Sequence, residues 1–327
     1  MIGDLHFHST NSDGNKTPRE RIAQIDILDP ERKGIWALTD HDRYSPDFVL
    51  PAREAGIRAV WATEVSARSD DLGISLHVTC YTPTLSEHIR KLVEGIVIGR
   101  GVKIRGQIAK LQAAGFPIDE EGFFSWIVSL KMSPDMASNW HIANYLWRNT
   151  ASRSLSIQIV KHHTRVEIKD CETFMKECLR ENGDYADIGY HQAPRYEPEI
   201  TELSHIAKGE GALLSIAHPN FSFSKTLEKL GAKSSQARYS TFESHVVPPL
   251  VEAGIGNFEI NALASPGWVD VIGRVTKKTG GIITFGSDNH GLSVKDPKHG
   301  VFGMQNPLLT DDMSGPMRER LGEMMRG

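Results

Sequence analysis

The sequence predicts an α/β fold of barrel-like architecture, interrupted by a helical insertion. Three observations carry this. Short apolar runs rich in β-branched and aromatic residues recur, each bounded by Gly, Asp, Ser or Pro. Helical patterns lie between several of them, and strand alternating with helix implies a parallel sheet, open or closed into a barrel. The alternation stops between about Leu85 and Pro198 and then resumes.

The elements follow in order. Ile2–His8 reads as the first strand, and Pro18–Leu28 as a helix with proline at its start. Gly34–Thr39 is the second strand and Pro46–Ala55 the next helix; Ile57–Thr63 and Ile74–Tyr81 are the third and fourth strands. Helices then succeed one another over Glu87–Ala114, Asp119–Val128, Ala137–Arg148 and Lys169–Glu181, with turn chemistry at Gly115-Phe116-Pro117 and Glu181-Asn182-Gly183-Asp184. A helix over Pro198–Lys208 leads to the fifth strand, Ala212–Ala217. Thr241–Ala253 leads to the sixth, Asn257–Ile260, and Pro266–Thr279 to the seventh, Gly281–Phe285. About seven strands favour a barrel-like arrangement. The expected organisation is a discontinuous barrel over 1–84 and 206–309, an insertion over 85–205, and a helical tail over 310–327.

Composition narrows the function. The chain has 327 residues, 39% hydrophobic and 24% charged, which is an ordinary globular balance. The formal charge of −4 argues against an extended nucleic-acid surface. No apolar run approaches the ~20 residues of a membrane span, and the first residues show no secretory pattern. Cys80, Cys171 and Cys178 cannot build a disulfide framework, so a cytoplasmic setting is expected.

The unusual number is 14 histidines. Asp4-Leu5-His6-Phe7-His8-Ser9 sets two imidazoles on one face of the first strand, followed by the polar loop Asn11-Ser12-Asp13-Gly14. The second strand runs into Leu38-Thr39-Asp40-His41-Asp42, and the third ends at Glu64. His77 lies within the fourth, the fifth ends Ala217-His218-Pro219, the sixth carries Glu259, and the seventh ends Gly286-Ser287-Asp288-Asn289-His290. Taken singly, each is weak: a lone His-x-His is more often two polar residues at a strand end. Taken together, nearly every strand ends in His, Asp or Glu, where α/β barrels build their active sites. The donor set is imidazole and carboxylate with no thiolate, which suits Zn²⁺, Mn²⁺ or Fe. So many donors imply a cluster with a bridging carboxylate. Several cations at a barrel mouth lower the pKa of a bound water and neutralise an anionic substrate.

This ordered series resembles the PHP (polymerase and histidinol phosphatase) family of metal-dependent phosphoesterases. The resemblance implies a distorted (β/α)7 barrel and two or three divalent ions. Carried over position by position, one ion takes His6, His8, Glu64 and Asp288. A second shares Glu64 and adds His77 and His218, and a third takes Asp13, His41 and His290. Glu64 and Asp288 then serve catalysis through a metal-held hydroxide, with Asp40 supporting the ligands from behind.

The insertion is similar to that of the family branch acting on nucleotides and other small phosphate esters. Arg100 and Lys103 precede Ile108-Ala109-Lys110-Leu111, and Ser138-Asn139-Trp140-His141-Ile142-Ala143 matches a later helix start, with Asn139 in place of the branch's Arg. Tyr190 sits where the branch has a Tyr, although His191-Gln192-Ala193-Pro194-Arg195 departs from the pattern. Arg100, Lys103 and His141 are the expected substrate-binding residues, set against the ordinary alternative of a solvated helix face. His162 and His163 read as surface, and His88, His205, His245 and His299 as structural or exposed. The expected activity is phosphoric ester hydrolysis of a nucleotide or similar small phosphate monoester, with the insertion over the barrel mouth selecting the substrate. A phosphodiesterase acting on short oligonucleotides or cyclic phosphates, a carbon–nitrogen hydrolase and a non-catalytic metal-binding module are the alternatives. No lysine ends a strand, which argues against the carboxylated-lysine hydrolases that also begin with His-x-His.

Overall fold

The computed structural model describes residues 3–130, 132–193, 196–291 and 299–326; Ile2 of the first expected strand, and Pro194 and Arg195 of the return segment, lie outside them. The chain forms two compact units, Met1–Glu94 with Glu197–Gly327, and Gly95–Tyr196.

The first unit is a mixed α/β structure. Its strands are β1 (Asp4–Phe7), β2 (Ile35–Leu38), β3 (Arg58–Ala59), β4 (Trp61–Ser69), β5 (Ile74–Thr82), β6 (Leu213–Ile216), β7 (Phe258–Asn261) and β8 (Ile283–Gly286). They form a three-stranded sheet, β1-β2-β3, and a five-stranded sheet, β4-β5-β6-β7-β8. The expected parallel pattern holds within β1-β2-β3 and β6-β7-β8. It fails at β4/β5 and β5/β6, which are antiparallel. The reason is local. Only Asp70-Asp71-Leu72-Gly73 separates β4 from β5, with Gly73 at φ +63°. A parallel crossover needs roughly a dozen residues, so the two strands must form a hairpin.

The two sheets are not closed into one ladder. They meet at isolated bridges, Phe7 with Asn289 and His41 with Glu64. The Asp288 N–H donates to the His6 carbonyl at 2.7 Å and the His8 N–H to the Asn289 carbonyl at 2.9 Å, so the end of β8 runs beside β1. Gly286 permits this approach: a Cβ there would lie 2.2 Å from the His6 Cβ.

The helices Pro18–Leu28 and Pro266–Thr279 fall where the sequence places them. Thr17 and Glu20 form a capping box on the first. The helical run through 241–253 opens with a π turn over Phe242–Val246, because Pro248 and Pro249 offer no N–H and the ladder shifts to Val247 N–H donating to Phe242. The C-terminal helix Asp311–Arg326 is more than a tail. Its Met317, Leu321 and Met324, spaced to share one face, pack into a core with Leu5, Ile35, Val60, Leu213 and Phe285 from the strands.

The second unit has its own core, in which Ile108, Leu111, Phe123, Ile142, Leu146 and Phe174 are buried. It contains most of the long helix Glu87–Ala113, then Glu120–Ser129, Asn139–Trp147, Thr150–Thr164 and Cys171–Cys178. The helix Thr150–Thr164 lies outside the helices that the sequence predicts. Its buried stripe is Ser152, Ser156 and Val160, four apart, so hydrophobic periodicity barely marks it. Asn149 caps it by accepting from the Ser152 N–H at 2.8 Å. Gly99 and Gly106, seven apart on the long helix, lie against the rings of Tyr196 and His191, where any Cβ would clash at 2.2 Å. No helix among the described residues is long and apolar enough to cross a membrane.

Candidate metal centre

The site is built from strand ends in the first unit. His6 lies on β1 and His8 just past it; the next turn carries Asp13. His41 follows β2, Glu64 lies on β4 and His77 on β5. The β4/β5 register pairs Glu64 with Thr79 and Ser66 with His77, so Glu64 and His77 are diagonal neighbours on one face. The hairpin that overturns the parallel expectation thus joins two of the site residues. His218 stands two residues beyond β6, and Asp288 two beyond β8. Both adopt left-handed backbone, at φ +30° and +53°. Such strain in non-glycine residues costs on the order of 1–3 kcal/mol and clusters at functional sites.

All nine residues expected as ligands converge. Glu64 is fully buried and divides the cluster: its Oε1 is 3.1 Å from both His77 Nδ1 and His218 Nε2. Its Oε2 is 3.0 Å from His41 Nδ1, 3.2 Å from His6 Nε2 and 3.3 Å from His8 Nε2. Asp288 Oδ1 lies 3.4 Å from His6 Nε2 and 3.2 Å from His8 Nε2. Asp13 sits 3.1 Å from His290 Nε2, 3.6 Å from His41 Nε2 and 3.8 Å from His8 Nδ1. By proximity the donors fall into His6-Glu64-His218-Asp288, His41-Glu64-His77 and His8-Asp13-His41-His290. This grouping moves His8 and His218 relative to the resemblance-based sets, since both rings lie between neighbouring groups.

A fourth group, Asp288-His290-His299, adds a residue that the sequence reading set aside. His299 Nδ1 is 3.2 Å from Asp288 Oδ2 and its ring lies 4.1 Å from that of His290. Its neighbour Gly300 is anchored: the Gly300 N–H donates to the Ser287 carbonyl, and Asn289 Nδ2 donates to the Gly300 carbonyl, each at 2.7 Å. Nothing in the local sequence around His299 marks it, because the segment is not a strand end.

Other buried groups hold the donors. Glu259, on β7, lies 2.6 Å from His6 Nδ1, which leaves His6 Nε2 for the cluster. Asp40 accepts from Ser9 N–H and Ser9 Oγ at 2.7 Å and from Ser12 and Ser45 Oγ at 2.6 Å, fastening the loop that presents Asp13. Asp42 turns back to Ser66 at 2.7 and 2.8 Å. Arg21, fully buried, donates to the carbonyls of His8 (2.7 and 2.9 Å) and Asn289 (2.8 Å). Its guanidinium also lies over the Phe302 ring at 4.7 Å. It ties two site motifs together, yet an arginine in a helix carries no sequence sign of burial.

Charge explains why the cluster fits cations. Burial disfavours a charged His6, but Glu259, Glu64 and Asp288 outweigh it and raise the His6 pKa well above the usual range. Burial pushes His8 down to about 3, helped by His290 and His41. Burial opposes ionisation of Glu64 and Asp288, yet the surrounding histidines hold both carboxyls well below their usual range. His8 Nδ1 and Glu64 Oε2 are buried without a hydrogen-bond partner, and His6 Nε2 faces His8 Nε2 at 3.2 Å. Facing ring nitrogens, an orphaned imidazole nitrogen and an orphaned carboxylate oxygen form a donor set that could hold divalent cations.

The second unit places the expected substrate residues otherwise. Arg100 and Lys103 line a cavity of about 260 Å³ with Ser138, Asn139, Trp140 and Arg180. His141 is not among its lining residues. It stands at the third position of the helix Asn139–Trp147, where its Nδ1 accepts from the Ser138 N–H at 3.1 Å and lies 2.9 Å from Ser138 Oγ. His162 and His163 are exposed on the helix Thr150–Thr164.

No family model matches the chain. A 3′,5′-nucleoside bisphosphate phosphatase of Chromobacterium violaceum is 30% identical over 166 residues, 49% of this chain and 54% of the relative. The chain thus spans about half the length of the curated relative it matches. Two solved structures share the fold across 98% of this chain. One, from Bifidobacterium adolescentis, is provisionally described as a metal-dependent phosphoesterase (TM-score 0.60, 18% identity, 95% of that chain covered). The other is an amidohydrolase of Chromobacterium violaceum holding sulfate and no metal (TM-score 0.63, 22% identity, 96% covered). The likeness to the PHP phosphoesterases read from the motifs therefore extends to a relative in sequence and to neighbours in fold.

Proposed function

We propose that this chain is a metal-dependent phosphoesterase of the PHP kind, hydrolysing a phosphate monoester of a nucleotide or a similar small molecule. The observation that carries the reading is the convergence of seven imidazoles and three carboxylates, His6, His8, His41, His77, His218, His290, His299, Asp13, Glu64 and Asp288, in overlapping groups that are buried or half-buried. The nucleotide half of the reading is supported by the phosphatase relative and by a cavity that combines basic side chains with the exposed indole of Trp140.

The reading includes two or three ions, of Mn²⁺, Zn²⁺ or Fe. His6, His8, Asp13, His41, Glu64, His77, His218, Asp288 and His290 would hold them. When bound, such ions supply a water activated near neutral pH and positive charge against the phosphate. Glu64 spans the cluster with its two oxygens. Glu259 fixes the direction of His6, and Asp40 fixes the Asp13 loop. We also propose that the two sheets are arcs of a distorted (β/α)7 barrel, supported by the bridges at Phe7–Asn289 and His41–Glu64. The discontinuous division at about residues 85 and 205 belongs to the same proposal.

The test is hydrolysis of p-nitrophenyl phosphate and bis-p-nitrophenyl phosphate by metal-replete protein, followed by nucleoside mono- and bisphosphates. Monoester turnover that disappears with chelator and returns with Mn²⁺ or Zn²⁺ is expected. Diester turnover alone would favour the phosphodiesterase reading. Stoichiometric metal without turnover of any ester would leave a binding module.

A further inference from the structure

Position 139 carries an uncharged amide, and the structure shows what that amide does. Asn139 Nδ2 donates to the Leu179 carbonyl at 2.6 Å, and the buried Gln107 donates to the same carbonyl at 2.9 Å. Two donors occupy both lone pairs of that oxygen. The Leu179 side chain is itself fully buried in the unit's core. The next residue, Arg180, therefore leaves a backbone held from three sides.

Arg180 is exposed, and it lines the same cavity as Arg100, Lys103 and Asn139. Three cationic side chains from two separated segments converge there. One wall is Trp140, which stays 55% exposed in a unit whose other aromatic residues are all buried or half-buried. A guanidinium fork matches phosphate in two parallel hydrogen bonds, which an ammonium cannot do.

We propose that Arg180 binds a phosphate group of the substrate in this cavity, beside Arg100 and Lys103, and that Asn139 is its positioning residue through the Leu179 carbonyl. An amide thus stands at position 139 because the cation is delivered from position 180. The proposal rests on the phosphoesterase reading for the identity of the anion.

The experiment compares Arg180→Ala, Arg180→Lys, Asn139→Ala and the double variant on a nucleoside 3′,5′-bisphosphate and on p-nitrophenyl phosphate, with metal content measured throughout. Arg180→Ala is expected to raise KM for the nucleotide about 10- to 100-fold with metal content unchanged. Arg180→Lys should recover part of the loss. Asn139→Ala should shift KM in the same direction by a smaller factor and add little once Arg180 is gone. Equal losses on both substrates support contact with the phosphate being cleaved, and a loss confined to the nucleotide supports contact with a second phosphate. KM within twofold of wild type for Arg180→Ala overturns the proposal, and additivity of Asn139→Ala overturns the positioning role. If wild type cleaves no phosphate ester, the phosphoesterase reading fails, and equilibrium titration of the full chain with the same bisphosphate still reads the cavity. There, binding at least tenfold weaker in Arg180→Ala supports it, whereas equal affinity or no binding by wild type overturns it.

Discussion

The two units solve the placement of charged groups in opposite ways. In the first, most donors sit on strands or just past them, where cross-strand hydrogen bonds hold the backbone, and buried groups such as Glu259, Asp40 and Arg21 support several of the motifs that carry them. In the second, the basic residues stand on helix surfaces and at a turn, around an open cavity. The difference is one of tolerance. A cation cluster needs donors placed to within fractions of an ångström, so its supports must be rigid. A phosphate can be met by long side chains that adjust, so the scaffold need only bring their stems near.

That contrast can be broken or sharpened by substitution. The largest effect is expected at Glu64, whose two oxygens touch five histidines. Glu64→Gln preserves shape and removes charge, so turnover should fall by about 10³-fold or more, comparable to or beyond the loss of a key electrostatic group elsewhere. Chelation of the wild type should match it. Circular dichroism should show the fold intact; turnover within a few-fold of wild type would remove Glu64 from the centre of the site.

Next come Arg100→Ala and Lys103→Ala. A charge-assisted hydrogen bond of roughly 1.5–3 kcal/mol corresponds to about 10- to 150-fold in affinity. The loss should appear in KM or kcat/KM with metal content unchanged, the reverse of the Glu64 signature. Unaltered kinetics on the best substrate would mean that the helix face is merely solvated.

Glu259→Gln tests the supports of the first unit. It keeps a hydrogen bond to His6 and removes the charge, and loss of such a partner costs about 10- to 100-fold in metal affinity or activity. Metal titration followed by elemental analysis reads it directly. Unchanged metal affinity would show that His6 is oriented by its strand alone.

The smallest effect is expected for His299→Ala. His299 touches Asp288 from a segment outside the strands, so its removal should weaken metal binding by less than about tenfold, the low end for such partners. A loss as large as that of Glu64→Gln would make His299 a full ligand and erase the distinction between strand-borne donors and loop-borne supports.

Much of the centre was legible because its donors lie in short contiguous runs. His6 and His8 sit two apart at the end of the first strand, and Asp40-His41-Asp42 and Asp288-Asn289-His290 close apolar runs, so each motif declares its own position. Arg21 was not legible, because nothing in the pattern of Pro18–Leu28 tells a buried arginine from a solvated one. Glu259 was seen but had no assignable role, since its partner lies 253 residues away. The helix Thr150–Thr164 was missed because serine lines its buried face.

By itself, then, the sequence determined the alternation of strands and helices in the first unit, the helical character of the second, and the gathering of His, Asp and Glu at strand ends, from which the family resemblance picked the nine expected ligands. These follow from periodicity and from polar residues at strand ends, which are properties of neighbouring positions. Tertiary structure alone decided the antiparallel hairpin that sets Glu64 diagonal to His77, the addition of His299, the burial of Arg21, and the meeting of Arg180 with Arg100 and Lys103. Each of these depends on which distant segments pack together, and burial and pairing energies act between such segments without leaving a mark in local spacing.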